Sequence, residues 1–322
     1  TLIKLEGENS IGSVYADRGV GIRAIASSGE EQALIFQSGS GASLDVSALQ
    51  CTNAGDMTIS GGRVNMNGEV YGICSQDNLI IQNGAQVFAK GGEYGAAIML
   101  DNFNPGADRC DLTVKGGSTL EFDGELSIAG DIWIYGDSKL KIDGWDSLYP
   151  KGAINIEDGS ELENNGRIMI TKPDMTPEQI KAMKFTGTGV VKVVIEGDEK
   201  EGPPEWRTFT NDGTPLNTVS ESLDVEDSGQ EDKTVADDGY AWDSESKTLT
   251  LGNVLVEGNI ILPGGSTVRT DAGAAVLGII QSSEGSALDI TFTGSALLRI
   301  DGGISGGING DTINVQSGAQ VN

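Results

Sequence analysis

Residues 111–170 read DLTVKGGSTLEFDGELSIAGDIWIYGDSKLKIDGWDSLYPKGAINIEDGSELENNGRIMI, and this stretch decides the fold. Leu112 and Val114 are followed by Ile132 and Ile134, then by Ile154 and Ile156, at intervals of 20 and 22 residues. Leu120 and Phe122, Leu140 and Ile142, and then Leu162 keep the same interval. A third series runs from Leu126 and Ile128 to Ile168 and Ile170, its middle member replaced by what reads as a loop carrying Trp145 and Tyr149. Three short apolar-x-apolar strands and three turns in about 22 residues make one coil of a parallel β-helix, because period-2 alternation turns one side of each strand inward. No coil can bury its apolar face alone, whereas stacked coils share one core.

Working outward, MTISGGRVNMNGEVYGI (57–73) and LIIQNGAQVFAKGGEYGAAI (79–98) repeat the unit, down to the matching Tyr71-Gly72 and Tyr94-Gly95. The run TKPDMTPEQIKAM (171–183) breaks it. Thr176 as N-cap, Pro177 in the first turn and Gln179 as capping-box partner predict a short helix over 177–184. Between 196 and 245 sixteen acids stand against three bases, which reads as an acidic linker over 197–238. Strands resume with TLTLGNVLVEGNIILPGGSTV (248–268), LDITFTGSALLRIDG (288–302) and DTINVQSGAQVN (311–322). The expected organisation is therefore all-β: a parallel, right-handed solenoid over 1–196 ending in a short helix, the linker, and a second β-helical region over 239–322. Both ends read as cut inside a repeating array.

Composition narrows the partners. The net charge of -27 disfavours nucleic acid, which needs a basic stripe, and repels anionic lipid and acidic polysaccharide. No apolar run approaches the roughly 20 residues of a membrane span, so direct insertion is not expected. Histidine is absent, which removes Ser-His triads and histidine-ligated zinc. Carboxylate pairs such as Asp143 and Asp146 could serve as acid and base, but 48 acids generate such pairs by chance. Calcium is the one metal to consider, with Asp224, Glu226 and Asp227 as ligand candidates, although Val235 stands where a calcium loop would need its last Glu. No other cofactor is expected. Cys51 and Cys74, about one coil apart, could form a disulfide or an unbonded stack.

The binding candidates are aromatic. In a chain with 5% aromatic residues, Trp133, Tyr135, Trp145 and Tyr149 crowd one coil. If Ile132 and Ile134 face the core, Trp133 and Tyr135 face out, beside Thr113 and Lys115 on one neighbouring coil and Asn155 and Glu157 on the other. With Asp137, Asp143 and Asp146 nearby, they supply flat apolar faces and carboxylates for a sugar. The alternative is a satellite core in which the loop of Trp145, Leu148 and Tyr149 folds back over Trp133. Trp206 and Trp242 read as strand-packing residues.

YAWDSESKTLTLGNVLVEGNIILPGGSTV (240–268) resembles the repeat-opening sequence of secreted, surface-displayed β-helix proteins of Gram-positive bacteria, often labelled carbohydrate-binding domain proteins. Trp242-Asp243, Thr248-Leu249-Thr250-Leu251, Gly258 and Leu262-Pro263-Gly264-Gly265-Ser266 carry the match. The resemblance implies a pectin-lyase-like shape, an extracellular or cell-surface location and no catalytic residue. It makes the expected function a non-enzymatic scaffold or adhesin-like binder, with neutral polysaccharide or a cell-surface glycan as partner. The alternative is a β-helix enzyme that degrades polysaccharide. Polygalacturonase-like enzymes need a Gly-His-Gly element, which is impossible here, and the single Asp-Asp (Asp237-Asp238) falls in the linker.

Overall fold

The computed structural model describes residues 2–11, 22–25, 34–38, 41–46, 49–52, 56–68, 70–92, 95–100, 110–143, 147–171, 175–194, 206–227, 229–283, 287–305, 312–316 and 318–322. The chain is an all-β parallel solenoid, about 5% helical. It divides into two compact units, Thr1–Trp206 with Asn211–Gly213, and Arg207–Thr210 with Thr214–Asn322.

In the first unit, three parallel sheets grow by one strand per coil. The first sheet has seven strands, including Leu79–Gln82, Leu112–Lys115, Ile132–Tyr135 and finally Ile154–Ile156. The second also has seven, among them Thr119–Asp123, Lys139–Ile142 and Glu161–Asn164. The third runs through Glu125–Ile128, Ser147–Pro150 and Arg167–Ile170 to Val190–Val194. The register is the one the repeats require: Leu112 pairs with Ile132 and Ile132 with Ile154, while Leu120 pairs with Leu140 and Leu140 with Leu162. Leu112, Val114, Leu120, Leu126, Ile132, Ile134, Leu140 and Ile142 are all fully buried. Each contributes roughly 1.5–3 kcal/mol of burial before chain entropy is subtracted.

The turns are tied by side-chain ladders. Asp111 Oδ1 accepts from the Asp131 N–H at 2.7 Å, and Asp131 Oδ1 accepts from the Ala153 N–H at 2.7 Å. One corner away, Ser138 Oγ accepts from the Ser118 N–H, and Ser160 Oγ from the Ser138 N–H, each at 3.1 Å. These bonds satisfy backbone donors at the coil corners, where no strand can.

On the outer face of the second sheet, charges alternate from coil to coil. Lys139 contacts Glu161 at 3.2 Å and also pairs with Glu163, while Lys141 lies 3.5 Å from Glu121 and pairs with Asp143. The hydrogen bond from Lys139 holds the Glu163 carboxyl below its ordinary value, and the bond to Glu163 raises Lys139. A depressed carboxylate contributes stability that is present above its unfolded pKa and is lost as pH falls through the folded one. The raised lysine loses its share only as pH climbs through its own elevated value. The pair is partly exposed, so Lys139→Met costs less than about 1 kcal/mol at neutral pH. Urea unfolding across a pH series should show that difference vanish once Glu163 is protonated, below its ordinary carboxylate range.

Two expectations change, and one left open is narrowed. The coil of Trp145 and Tyr149 does not surrender its strand: Ser147–Pro150 pairs with Glu125–Ile128, setting Leu148 beside Leu126 and Pro150 beside Ile128. Proline is tolerated at a strand end, where the following Lys151 N–H makes the bond to Ile128. The disulfide between Cys51 and Cys74 is not made, because Cys74 is a buried thiol and the register sets Cys51 beside Ser75. The acidic stretch read as a linker holds regular structure. Trp206–Thr210 and Pro215–Val219 form an antiparallel hairpin, followed by the strand Leu223–Asp224 and a helical turn at Val235–Asp238. The second unit therefore starts within residues assigned to that linker.

The second unit is built on the same plan. Its core gathers Leu223, Val225, Leu249, Val268, Ile290, Phe292 and Leu298 around buried Trp242, which packs as a strand residue. Trp242-Asp243 and Thr248–Leu251 belong to an antiparallel hairpin, Tyr240–Asp243 against Thr248–Leu251, whose turn is tied by Asp243 accepting from the Glu245 and Ser246 N–H groups and the Ser246 hydroxyl. From Thr248–Leu251 onward the pairing is parallel, to Ser266–Thr270 and then Asp289–Gly294. Among the described residues, no helix is long and apolar enough to cross a membrane.

Candidate ligand groove

The predicted aromatic coil is only partly a site. Along Ile132–Tyr135 burial alternates, with both isoleucines fully buried, Trp133 41% exposed and Tyr135 half-buried. Trp133 pairs with Thr113 on one side and Asn155 on the other, and Tyr135 pairs with Lys115, as the repeats require. Lys115 Nζ lies 5.9 Å from the centre of the Tyr135 ring, at cation–π range. Tyr149 sits on the third sheet, beside Ser127, and so on a different face from Trp133. Leu148 is fully buried in the core on that strand, so it does not fold back to cover Trp133. Trp145 and Asp146 lie outside the described residues.

The predicted carboxylates also scatter. Asp137 is exposed in the turn after Tyr135, in the left-handed region at φ 59°. Asp143 follows the strand Lys139–Ile142 of the second sheet, pairs with Lys141 and accepts from Asn165 at 3.2 Å. Asp143 therefore belongs to a different sheet from Trp133 and Tyr135, whereas the Asp137 carboxylate lies beside Gly159 at the corner of the first sheet. The calcium candidates Asp224, Glu226 and Asp227 flank and follow buried Val225, Asp224 Oδ1 accepts from the Glu226 N–H at 3.1 Å, and Glu226 and Asp227 line a shallow depression of the second unit. No group of three or more acids, cysteines or histidines able to hold a metal is present among the described residues.

What surrounds Trp133 comes from an element whose existence, but not its position, is readable in the sequence. The helix α1, Pro177–Ala182, forms with the expected capping box: the Thr176 hydroxyl accepts from the Gln179 N–H, and Gln179 Oε1 accepts from the Thr176 N–H. It ends two residues early, at Ala182 with Met183 as C-cap, because Lys184 turns into the left-handed region at φ 55°. In chain order α1 takes the place of the next strand of the first sheet. The same coil then adds only a single bridge to the second sheet, Glu163 to Thr186, and a full strand, Val190–Val194, to the third. Fully buried Ile180 anchors the helix.

Between α1 and the strands Ile132–Tyr135 and Ile154–Ile156 lies an open groove of about 680 Å³. It is lined by Trp133 and Tyr135 from one strand, by Asn155, Glu157 and Asp158 from the next strand and the turn after it, and by Gln179, Met183 and Lys184 from α1 and its C-terminal turn. Lys184 Nζ lies 3.4 Å from Asp158 Oδ1. The arrangement offers one exposed indole face, a phenol, an amide and carboxylates within one depression. It provides shape, stacking and hydrogen bonds, with no histidine to move protons.

The chain matches no protein-family model, no curated protein and no solved structure at significant similarity.

Proposed function

We propose that the protein is a non-enzymatic extracellular β-solenoid of a bacterial surface, acting as a scaffold and adhesin-like binder whose groove takes a neutral glycan. One observation carries this reading: Trp133, a large apolar ring, stands 41% exposed beside Tyr135 on the wall of a groove. A solenoid with no need of a binding face gains nothing from leaving an indole in water, whereas the CH face of a pyranose stacks on it. Asn155, Gln179 and Glu157 supply donors and acceptors for hydroxyl groups along the same depression. The negative charge of the chain fits a neutral sugar better than an acidic one. The surface location follows from the resemblance of residues 240–268.

Affinity electrophoresis through a panel of neutral polysaccharides tests it, with a Trp133→Ala/Tyr135→Ala variant run beside the wild type. The expected result is retardation of the wild type by at least one polymer and roughly tenfold weaker retention of the variant at unchanged circular dichroism. Equal retention of both chains, or none of either, contradicts the reading. Steady release of reducing ends from the retained polymer would instead favour a degrading enzyme.

A further inference from the structure

The first sheet of unit one stops at Ile154–Ile156, while the third sheet continues with Val190–Val194. Among the described residues, no strand pairs with the far edge of Ile154–Ile156. The hydrogen bonds show which groups face it. Ile132 N–H donates to the Ala153 carbonyl, and Glu157 N–H donates to the Ile134 carbonyl. In a parallel ladder this alternation uses the amide and carbonyl of Asn155 inward and turns those of Ile154 and Ile156 outward. Their side chains belong to the core column, yet both are only half-buried, whereas their register partners Ile132 and Ile134 are fully buried.

A trough follows that edge. The groove described above reaches from Ile154 to Ser160, and a second cavity of about 610 Å³ is lined by Gly152, Ala153 and Ile154. Ile154 and Met183 line both, so the two depressions run end to end along 152–160.

We infer that this edge is a docking site for an extended, net-basic peptide segment, which adds to the first sheet as its next strand. Such docking is separate from glycan binding and engages different atoms. A glycan would stack on Trp133, whereas a peptide would bond to the outward amides and carbonyls of Ile154 and Ile156. Strand addition draws affinity from main-chain bonds and selectivity from alternate side chains. One set of those side chains would complete the column above the half-buried Ile154 and Ile156. The other set would stand on the outer face beside Asn155 and Glu157, where a carboxylate meets a basic side chain. Charge agrees: Asp131, Glu157 and Asp158 line the trough against Lys151 and Lys184, and the chain as a whole carries -27.

The test uses a capped octapeptide of alternating Arg and Val, and the same peptide N-methylated at alternate amides so that one edge cannot donate. Binding to the full chain is followed by calorimetry. Ile156→Pro removes one outward N–H and no bond to Ile132–Tyr135, so it spares the existing ladder. Binding of the unmethylated peptide, weakened at least about tenfold by N-methylation and by Ile156→Pro, is the expected result. If Ile156→Pro does not fold, the methylated peptide still decides the matter. In the Trp133→Ala/Tyr135→Ala variant the sensitivity to methylation should persist, which separates this site from the glycan surface. Equal binding of both peptides overturns the proposal, as does no binding of either at millimolar concentration or a response to neutral polysaccharide alone.

Discussion

Gly130→Ala is expected to lower the unfolding free energy by about 2–4 kcal/mol, although it adds a single methyl group at a coil corner. A Cβ on Gly130 would lie 2.1 Å from Asp111 Oδ1 and 2.5 Å from the Cys110 carbonyl oxygen. Those atoms are so close because the ladder needs them there: Gly130 N–H donates to Cys110 at 2.9 Å and Asp131 N–H to Asp111 at 2.7 Å. The chain must open this corner, and both bonds lengthen together. Gly152 meets the same crowding one coil on, with a Cβ 2.2 Å from Asp131 Oδ1. The second unit repeats the device, since a Cβ on Gly278 would fall 2.5 Å from Asn259 Oδ1, which accepts from the Ile279 N–H at 3.0 Å. Gly117 is the control, because a Cβ there meets nothing within 4 Å and only its φ of +72° resists substitution. Its alanine variant should cost about 1–2 kcal/mol. Urea unfolding ranks the variants, and hydrogen exchange should show the Asp131 amide losing protection in Gly130→Ala. Equal costs for Gly130→Ala and Gly117→Ala would contradict the ladder account.

Asn164→Leu should be at least as damaging, at about 3–4 kcal/mol, despite a nearly isosteric and more apolar side chain. Asn164 is fully buried at the end of the second sheet, in the column below Ile142. Its Nδ2 donates to the Val190 carbonyl at 3.1 Å and to Asn211 Oδ1 at 2.7 Å, while its Oδ1 accepts from the Gly166 N–H at 3.1 Å. Asn211 returns the favour by donating to the Asn164 and Thr186 carbonyls at 2.9 and 2.8 Å. With only one bridge left in this sheet on the next coil, the pair satisfies backbone groups that a further strand would have satisfied. Leucine leaves three buried polar partners without their bonds. Because the two side chains act as a unit, Asn164→Leu and Asn211→Leu should be strongly non-additive, which a double-mutant cycle in urea would measure. Simple additivity would show that the two asparagines contribute independently.

The solenoid was legible because its core is written at fixed intervals. The register of Ile132 with Ile154 and of Leu140 with Leu162 follows from spacing alone. Legibility ended where one residue carried two messages. Pro150 looks like a breaker, yet at the end of Ser147–Pro150 it costs no ladder bond. In the acidic stretch, Phe209, Leu216, Leu223 and Val225 are buried, but their short runs are hidden among exposed acids. The site was half visible. Outward Trp133 and Tyr135 came from alternation, and the capping box revealed a helix. Nothing local to residues 176–184 says that this helix replaces a first-sheet strand and walls a groove, because that depends on which of the three sheets ends first. Met183 and Lys184 were therefore missed as lining residues, whereas the repeat had already set Asn155 and Glu157 beside Trp133 and Tyr135.

The most direct measurement of the central claim is tryptophan emission during titration with an oligosaccharide from the best-retained neutral polymer, comparing the wild type with Trp133→Phe. Of the four tryptophans, Trp133 stands exposed in the groove and Trp242 is buried in the second unit. The account predicts a saturable emission change in the wild type that Trp133→Phe abolishes. A saturable change of the same size in both chains would place the sugar elsewhere and contradict it.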